Sequence, residues 1–352
     1  MAIGVMRAGD ACRGVFSRTR SRSRRAGKPC ARLRAAALDA ADGIGEAELQ
    51  PQLSFEWGSG HWPSPQSVVK LVATDVDGTL LNSHHKLSQA NIQAARELRA
   101  AGIDLLLATG KARGPWVEDV AEALGLEGTP GVFLQGLYVT SDMRRGKGEV
   151  IFERTLPPGA VAAAVESARS RGLTLVLYSA ERIVCAHTDE HSDRLLAYSE
   201  PTPEAVGDLA AFVEAGNPAH KVIFMGSEED VVAARTGIEA ELCGTFDCAT
   251  TRALEGMLEL QPAGVDKAVG VQKALEHAYA GRGLTMSDVM AIGDGENDVA
   301  LLAAAGVRCA MGNGSEALKE SAHYVLGTND EAGGWPVAAS LAVHSQPWLA
   351  GI

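Results

Sequence analysis

Asp75 and Asp77 stand two positions apart in Asp75-Val76-Asp77-Gly78-Thr79-Leu80-Leu81, directly after the apolar run 68–74. Two carboxylates pinned where a strand runs into a loop can divide labour, one as nucleophile and metal ligand, the other moving a proton. Gly78 lets the backbone approach phosphoryl oxygens closely, and Thr79 follows it. A second apolar run, 103–108, closes on Thr109-Gly110-Lys111. A threonine hydroxyl there can donate to a phosphoryl oxygen, or equally cap a helix. Gly293-Asp294-Gly295-Glu296-Asn297-Asp298 follows a third run, 289–292. Three acids and an amide on a glycine-permitted turn are an oxygen-rich set suited to a hard cation such as Mg2+. An EF-hand calcium loop needs a longer ligand series ending in Glu. Lys267 lies 27 residues before Asp294 at a helix start, where it can neutralise both a nucleophile and a transferred phosphoryl group, or simply sit in water.

These residues need elements that bring them to one edge. The runs at 68–74, 103–108, 131–134, 289–292 and 307–310 read as buried strands, and 88–101, a segment ending near 124, 265–279 and 297–305 read as helices. Strands alternating with helices predict an α/β fold, a doubly wound parallel sheet whose crevice lies outside the carboxyl ends of its strands. Between 142 and 252 a separate rhythm appears, with strands at 173–177, 183–186, 221–224 and 245–250 and helices at 160–171 and 230–240. It predicts an inserted α+β domain. The expected organisation is therefore a core of 67–141 and 253–345, a cap of 142–252, and a leader and linker over 1–66, largely disordered.

Charge is divided unevenly. The first 34 residues hold nine Arg, one Lys and one Asp, a net +9, so the other 318 carry −21 within a total of −12. An acidic body argues against general nucleic-acid binding, which depends on neutralising phosphates. It leaves room for a small phosphate ester held by a few local groups. The Arg-, Ala- and Ser-rich start suits a chloroplast transit peptide, with the mitochondrion as the alternative. No run of ~18 apolar residues suggests a membrane span. Six scattered cysteines without a CxxC pair argue for reduced thiols in packing roles.

Taken in order, DVDGTLL, ATGK, Lys267 and GDGENDVALL resemble the four motifs of the haloacid dehalogenase superfamily, and GDGEND with the position of the insertion is similar to its Cof-type branch. The resemblance covers roughly residues 68–342. It implies a Rossmann-like core, a Mg2+-dependent phosphatase acting through an aspartyl-phosphate, Asp75 as nucleophile and Asp77 as general acid and base. Thr109, Gly110, Lys267 and Asn297 would bind the phosphoryl group. Mg2+ would be held by Asp75, Asp77 through its backbone carbonyl, Asp294 and, in support, Asp298. Thr109 and Lys267 are 158 residues apart, which places the insertion between the second and third motifs, as in type II caps. A phosphomutase or a non-catalytic binding protein on the same fold are the alternatives.

Two positions depart from the pattern: Lys111 and Gln135 stand where relatives more often carry Arg and Asn. Lys111 or Arg113 is expected near the substrate. The chain is also similar to plant proteins in which such a domain is fused to a metal-dependent RNA endonuclease, though the nine histidines here lack the cluster that enzyme would need. His84 and His85 read as solvated loop, and Trp335 as packing for the last helix.

Overall fold

The computed structural model describes residues 68–345 except 253, 332 and 333, together with the strands Ala31–Ala35 and Leu53–Glu56. The rest of the expected leader and linker lies outside the described residues, as does its addressing role.

Six strands form a parallel block in the order Tyr324–Val325, Val307–Ala310, Val289–Gly293, Leu71–Thr74, Asp104–Ala108 and Gly131–Phe133. Tyr138–Thr140 and Val150–Glu153 extend it antiparallel on one side. On the other, Ala31–Ala35 joins parallel and Leu53–Glu56 antiparallel, giving ten strands. Strand side chains point to alternate faces, and both faces here are apolar. Val72, Leu105, Leu107, Met290 and Ile292 pack under the helices Gln89–Ala100, Trp116–Leu124 and Trp335–His344. Leu71, Ala73, Leu106 and Ala291 pack under Lys267–His277 and Val299–Ala304. The doubly wound fold is thus present.

The chain leaves Leu71–Thr74 toward Asp104–Ala108, and later strands are added on its other side, from Val289–Gly293 outward. The strand order therefore reverses between Leu71–Thr74 and Val289–Gly293, and a ligand crevice opens where connections diverge at such a point. Asp75 and Asp294 are the next residues of those two strands.

A second sheet of six strands runs Glu204–Ala205, Arg182–Cys185, Thr174–Ser179, Lys221–Met225, Met257–Pro262 and Cys248–Thr251. Its outer face, including Leu175, Leu177, Val222, Phe224, Leu258 and Leu260, packs on the helices Pro158–Arg171 and Glu228–Ile238. Its inner face, with Val176, Tyr178, Ile223, Met225 and Met257, merges with the core's apolar cluster. The expected limits of this cap, 142 and 252, do not coincide with the sheets. Val150–Glu153 hydrogen-bonds into the larger sheet and Met257–Pro262 into the smaller. The chain thus stays with the core about ten residues longer than expected at the first crossing, and with the cap about ten residues longer at the second. Val150–Glu153 is half exposed and carries no long apolar run to mark it, and the apolar pattern of Met257–Pro262 is interrupted by Glu259 and Gln261.

Candidate active site

Asp75 ends its strand with its N–H bonded to the Ile292 carbonyl at 2.9 Å, so the two central strands fix it from both sides. Lys267, the first residue of its helix, is wholly buried beneath them. The Asp266 side chain caps that helix by accepting from the Val269 N–H, which fixes where the lysine stem leaves the backbone. Its Nζ donates to Asp75 Oδ1 at 2.5 Å and to Asp298 Oδ1 at 2.7 Å. Asp298 Oδ2 accepts the N–H groups of Asp294 and Gly295 at 3.0 and 2.9 Å. Asp298 is therefore held by three donors and in turn shapes the turn that presents Asp294.

Asp294 Oδ1 accepts the Thr79 hydroxyl at 2.6 Å. Gly78 lies so close that a Cβ there would meet Asp294 Oδ2 at 2.4 Å, and its φ of +76° favours glycine independently. Asn313, which the sequence reading passed over, donates to the Gly78 carbonyl at 2.8 Å and lies 3.4 Å from Asp294 Oδ2. It follows the carboxyl end of Val307–Ala310 in Met311-Gly312-Asn313, and this position at the same sheet edge was the available signal.

Asp75, Asp294 and Asp298 each offer one oxygen within 4.8 Å of the others. Burial pushes the Asp75 carboxyl well above its ordinary value; Lys267 pulls it back, while Asp298 and Asp294 push it further up. Burial and the neighbouring Asp298 likewise push Asp294 up to about 6. Burial disfavours the Lys267 ammonium, but Asp298 and Asp75 outweigh it and hold its pKa above the ordinary value. Three carboxylates against one ammonium leave excess negative charge in a dry place. The donor set is all oxygen, so the residues fit a hard divalent cation.

The Asp77 side chain turns away from this cluster. Its Oδ1 lies 3.1 Å from His85 Nδ1 and 3.4 Å from Lys111 Nζ. A positive φ at His85 brings its ring back toward the site, edge-on to Tyr198 at 5.0 Å. The expectation of a solvated loop therefore fails for His85, a half-buried residue lining the cavity. Thr109 is buried, and its Oγ1 accepts the Lys111 N–H at 3.1 Å. Lys111 does reach the site. Arg113 does not, because its guanidinium is taken by the carbonyls of Met143 and Lys147 and by Glu181.

The cap covers this edge. A cavity of about 360 Å³ is floored by Asp75, Asp77, Thr109, Gly110, Asp294 and Asn297, and roofed by Tyr178, Tyr198, Glu200, Ile223, Met257 and the pair Lys221–Glu259. Glu200 accepts the Ala112 N–H at 3.1 Å, and burial pushes its carboxyl up to about 8 despite Lys111 and Lys221. Burial, with Glu200 beside it, raises the Tyr178 phenol well above its ordinary value. Sequence reading missed Glu200, Lys221 and Glu259. Lys221 and Glu259 carried a signal, being charged residues at inward positions of otherwise apolar strands.

The haloacid dehalogenase-like hydrolase family matches residues 72–336, and the chain belongs to that family. Its structural neighbours include Cof-like and subclass IIB proteins at 20% identity, with TM-scores of 0.67 and 0.65, which share its fold. Among relatives, the chain is 32% identical over 267 residues to the chloroplastic endoribonuclease YBEY of Arabidopsis thaliana, covering 74% of this chain but 44% of that protein. It thus spans less than half of that relative. It is 29% identical to the 5-amino-6-(5-phospho-D-ribitylamino)uracil phosphatase YitU of Bacillus subtilis, covering 75% of this chain and 94% of that one. A haloacid dehalogenase-like hydrolase from Bacteroides thetaiotaomicron superposes with a TM-score of 0.67 at 28% identity, over 78% of this chain and 99% of that structure.

Proposed function

We propose that this protein hydrolyses small phosphoric monoesters through an aspartyl-phosphate on Asp75. The observation that carries the reading is the switch-point cluster: Asp75 held at 2.5 Å by a buried lysine, beside Asp294 and Asp298, with Asp77 set apart from them. An Asp75 oxygen attacks phosphorus in line, and the ester oxygen leaves with a proton from Asp77. Asp77 then takes a proton from the water that attacks the aspartyl-phosphate, releasing phosphate and restoring Asp75. The Thr109 hydroxyl and the Lys267 ammonium bind phosphoryl oxygens whose charge they offset. Asn297 donates to Gln135 Oε1 at 3.1 Å, a contact that keeps its amide at the cavity wall. Mg2+ would be held by Asp75, the Asp77 carbonyl and Asp294, with Asp298 in support. Bound there it would offset charge on the nucleophile and the phosphoryl group.

The cavity is in the range of small-metabolite sites. The named activity of the Bacillus relative makes phosphorylated pyrimidine precursors of flavins the first esters to try, followed by sugar phosphates. The basic segment 1–34, read beside the chloroplastic relative, supports a plastid address, which a fluorescent fusion would test.

The test is phosphate release from a panel of such esters with Mg2+ or EDTA, beside Asp75→Asn. Turnover that needs Mg2+ and vanishes in Asp75→Asn is expected. Turnover that survives Asp75→Asn would overturn the mechanism. A stable phosphoenzyme that passes its phosphoryl group to a second hydroxyl would indicate a mutase instead.

A further inference from the structure

Lys221 and Glu259 are 1% and 6% exposed, a buried ion pair on the inner face of the cap. Ile223 opposes Glu259 across the antiparallel ladder, so Lys221 is the diagonal neighbour of Glu259 on the same face. Its Nζ lies 2.9 Å from Glu259 Oε2 and 4.6 Å from the centre of the Tyr178 ring. A buried ion pair is a poor way to hold two strands together, since apolar residues of similar size commonly do as well. What distinguishes this pair is where its remaining hydrogen bonds go.

Both partners reach out of the cap into the floor. Lys221 Nζ donates to the Gly110 carbonyl at 2.8 Å. That carbonyl and the Lys111 N–H are two ends of one planar peptide group. The same Lys111 N–H donates to Thr109 Oγ1 at 3.1 Å. Fixing the carbonyl fixes the N–H, and a hydroxyl that accepts this bond has its own proton left to give. Glu259 Oε2 accepts from Gln135 Nε2 at 3.3 Å, and Gln135 Oε1 accepts from Asn297 Nδ2 at 3.1 Å.

Gln135 is held for this task. It sits at φ +60°, after Leu134 at +51°, a conformation that non-glycine residues take where surrounding contacts enforce it. Its N–H donates to the Thr109 carbonyl at 3.0 Å, and that of Leu134 to the Lys111 carbonyl at 3.1 Å. Gly110 makes room for it, since a Cβ there would meet Gln135 Nε2 at 2.5 Å. An unbroken chain of contacts thus runs from Thr109 through the cap pair to Asn297.

We infer that Lys221 and Glu259 are positioning residues carried by the cap, which orient the Thr109 hydroxyl through the Gly110–Lys111 peptide and the Asn297 amide through Gln135 when the cap is closed. The phosphoryl site is then complete only under a closed cap, and the ester is shielded from water before transfer begins. The roles of Thr109 and Asn297 rest on the phosphatase reading; the contacts do not.

The test is a double-mutant cycle of Lys221→Met with Thr109→Val, read as kcat and KM on the best ester and as hydrogen exchange of the 105–115 segment. Losing one donor to a developing charge costs about 10²–10³-fold, so misplacing one should cost about tenfold to hundredfold in kcat with KM little changed. In the Thr109→Val background the same substitution should cost less than about threefold. Lys221→Arg should recover part of the loss, and Lys111 exchange should quicken in Lys221→Met while the sheet stays protected. Additive effects in the cycle would overturn the proposal, as would a loss confined to KM that varies with the leaving group, which marks direct substrate binding. If Lys221→Met does not fold, Lys221→Met/Glu259→Met removes both charges and takes its place in the cycle. Failure of the phosphatase reading shows separately, as turnover in Asp75→Asn, and leaves the exchange result standing.

Discussion

Two buried lysines sit at opposite sides of one cavity, and their surroundings differ in charge balance. Lys267, in the core, faces Asp75 and Asp298 directly, with Asp294 beside them. Lys221, in the cap, makes its salt bridge with Glu259, and its other donor contact is a neutral carbonyl, with Glu200 acting on it only at longer range. The core arrangement is short of positive charge and the cap arrangement is not. An uncompensated buried cluster raises carboxyl pKa values and creates demand for a cation, which is the condition of a reactive site. A balanced pair creates no such demand and fixes geometry.

Removing Lys267 should therefore have the largest effect. Lys267→Met leaves three carboxylates facing one another in a dry site. Turnover should fall by at least about 10³-fold. In EDTA, urea unfolding should show a loss of about 3–5 kcal/mol, the usual cost of breaking a buried pair. Mg2+ should recover part of that loss. A stability loss below ~1 kcal/mol would break the contrast between the two lysines.

Glu200 tests the cap side of the comparison by pH. Its folded pKa, about 8, is raised above the ordinary 4.5 by burial, with Lys111 and Lys221 opposing. Between those values the folded state holds a proton that the unfolded chain has released. Stability from this group is therefore present below pH 4.5 and declines as pH rises to about 8. The decline should be on the order of 2–4 kcal/mol. Glu200→Gln should flatten that slope in unfolding curves taken from pH 5 to pH 8 with Mg2+ present throughout. An unchanged slope would mean that Glu200 is ionised in the closed cavity.

Metal addition sharpens the core side. At a hundredfold excess over its dissociation constant, a cation that binds only the folded state stabilises it by about 2.7 kcal/mol. Wild type should show such a gain with Mg2+ and Asp294→Asn little of it. Because Asp294 titrates near 6, protons should compete with the cation, and affinity measured by calorimetry should weaken below that pH. An equal gain in Asp294→Asn would move the cation away from this cluster.

The same contrast explains what could be read in the sequence. Asp75, Asp294 and Asp298 follow strands in short motifs, because a strand end is where one local stretch can present several oxygens at once. The strands around them were legible for a related reason: Leu71–Thr74 and Val289–Gly293 are buried on both faces and read as continuous apolar runs. Lys221 and Glu259 lie 38 residues apart on neighbouring strands and meet only through sheet register. No local window holds both. The cap boundary was missed because Val150–Glu153 is half exposed at a sheet edge, with no apolar signal to tie it to the core.

The smallest effect should come from the far side of the central strand. Trp335 starts the last described helix and is 1% exposed, as its reading as a packing residue required. Its indole N–H also donates to Thr74 Oγ1 at 3.0 Å, and the Thr74 hydroxyl donates to the Asp75 carbonyl at 2.8 Å. Trp335→Phe removes one buried neutral hydrogen bond and some ring volume while leaving every charge in place. The bond is worth about 1 kcal/mol, and the smaller ring adds a cavity cost of similar size. Thr74 keeps its bond to Asp75, and Asp75 keeps its N–H on Ile292 and its carboxylate on Lys267. Stability should therefore fall by about 1–2 kcal/mol while kcat stays within about twofold. A kcat loss beyond tenfold, measured well below the melting temperature, would show that neutral packing behind the strand sets the nucleophile. The charge imbalance in front of it would then be too weak an explanation of the site.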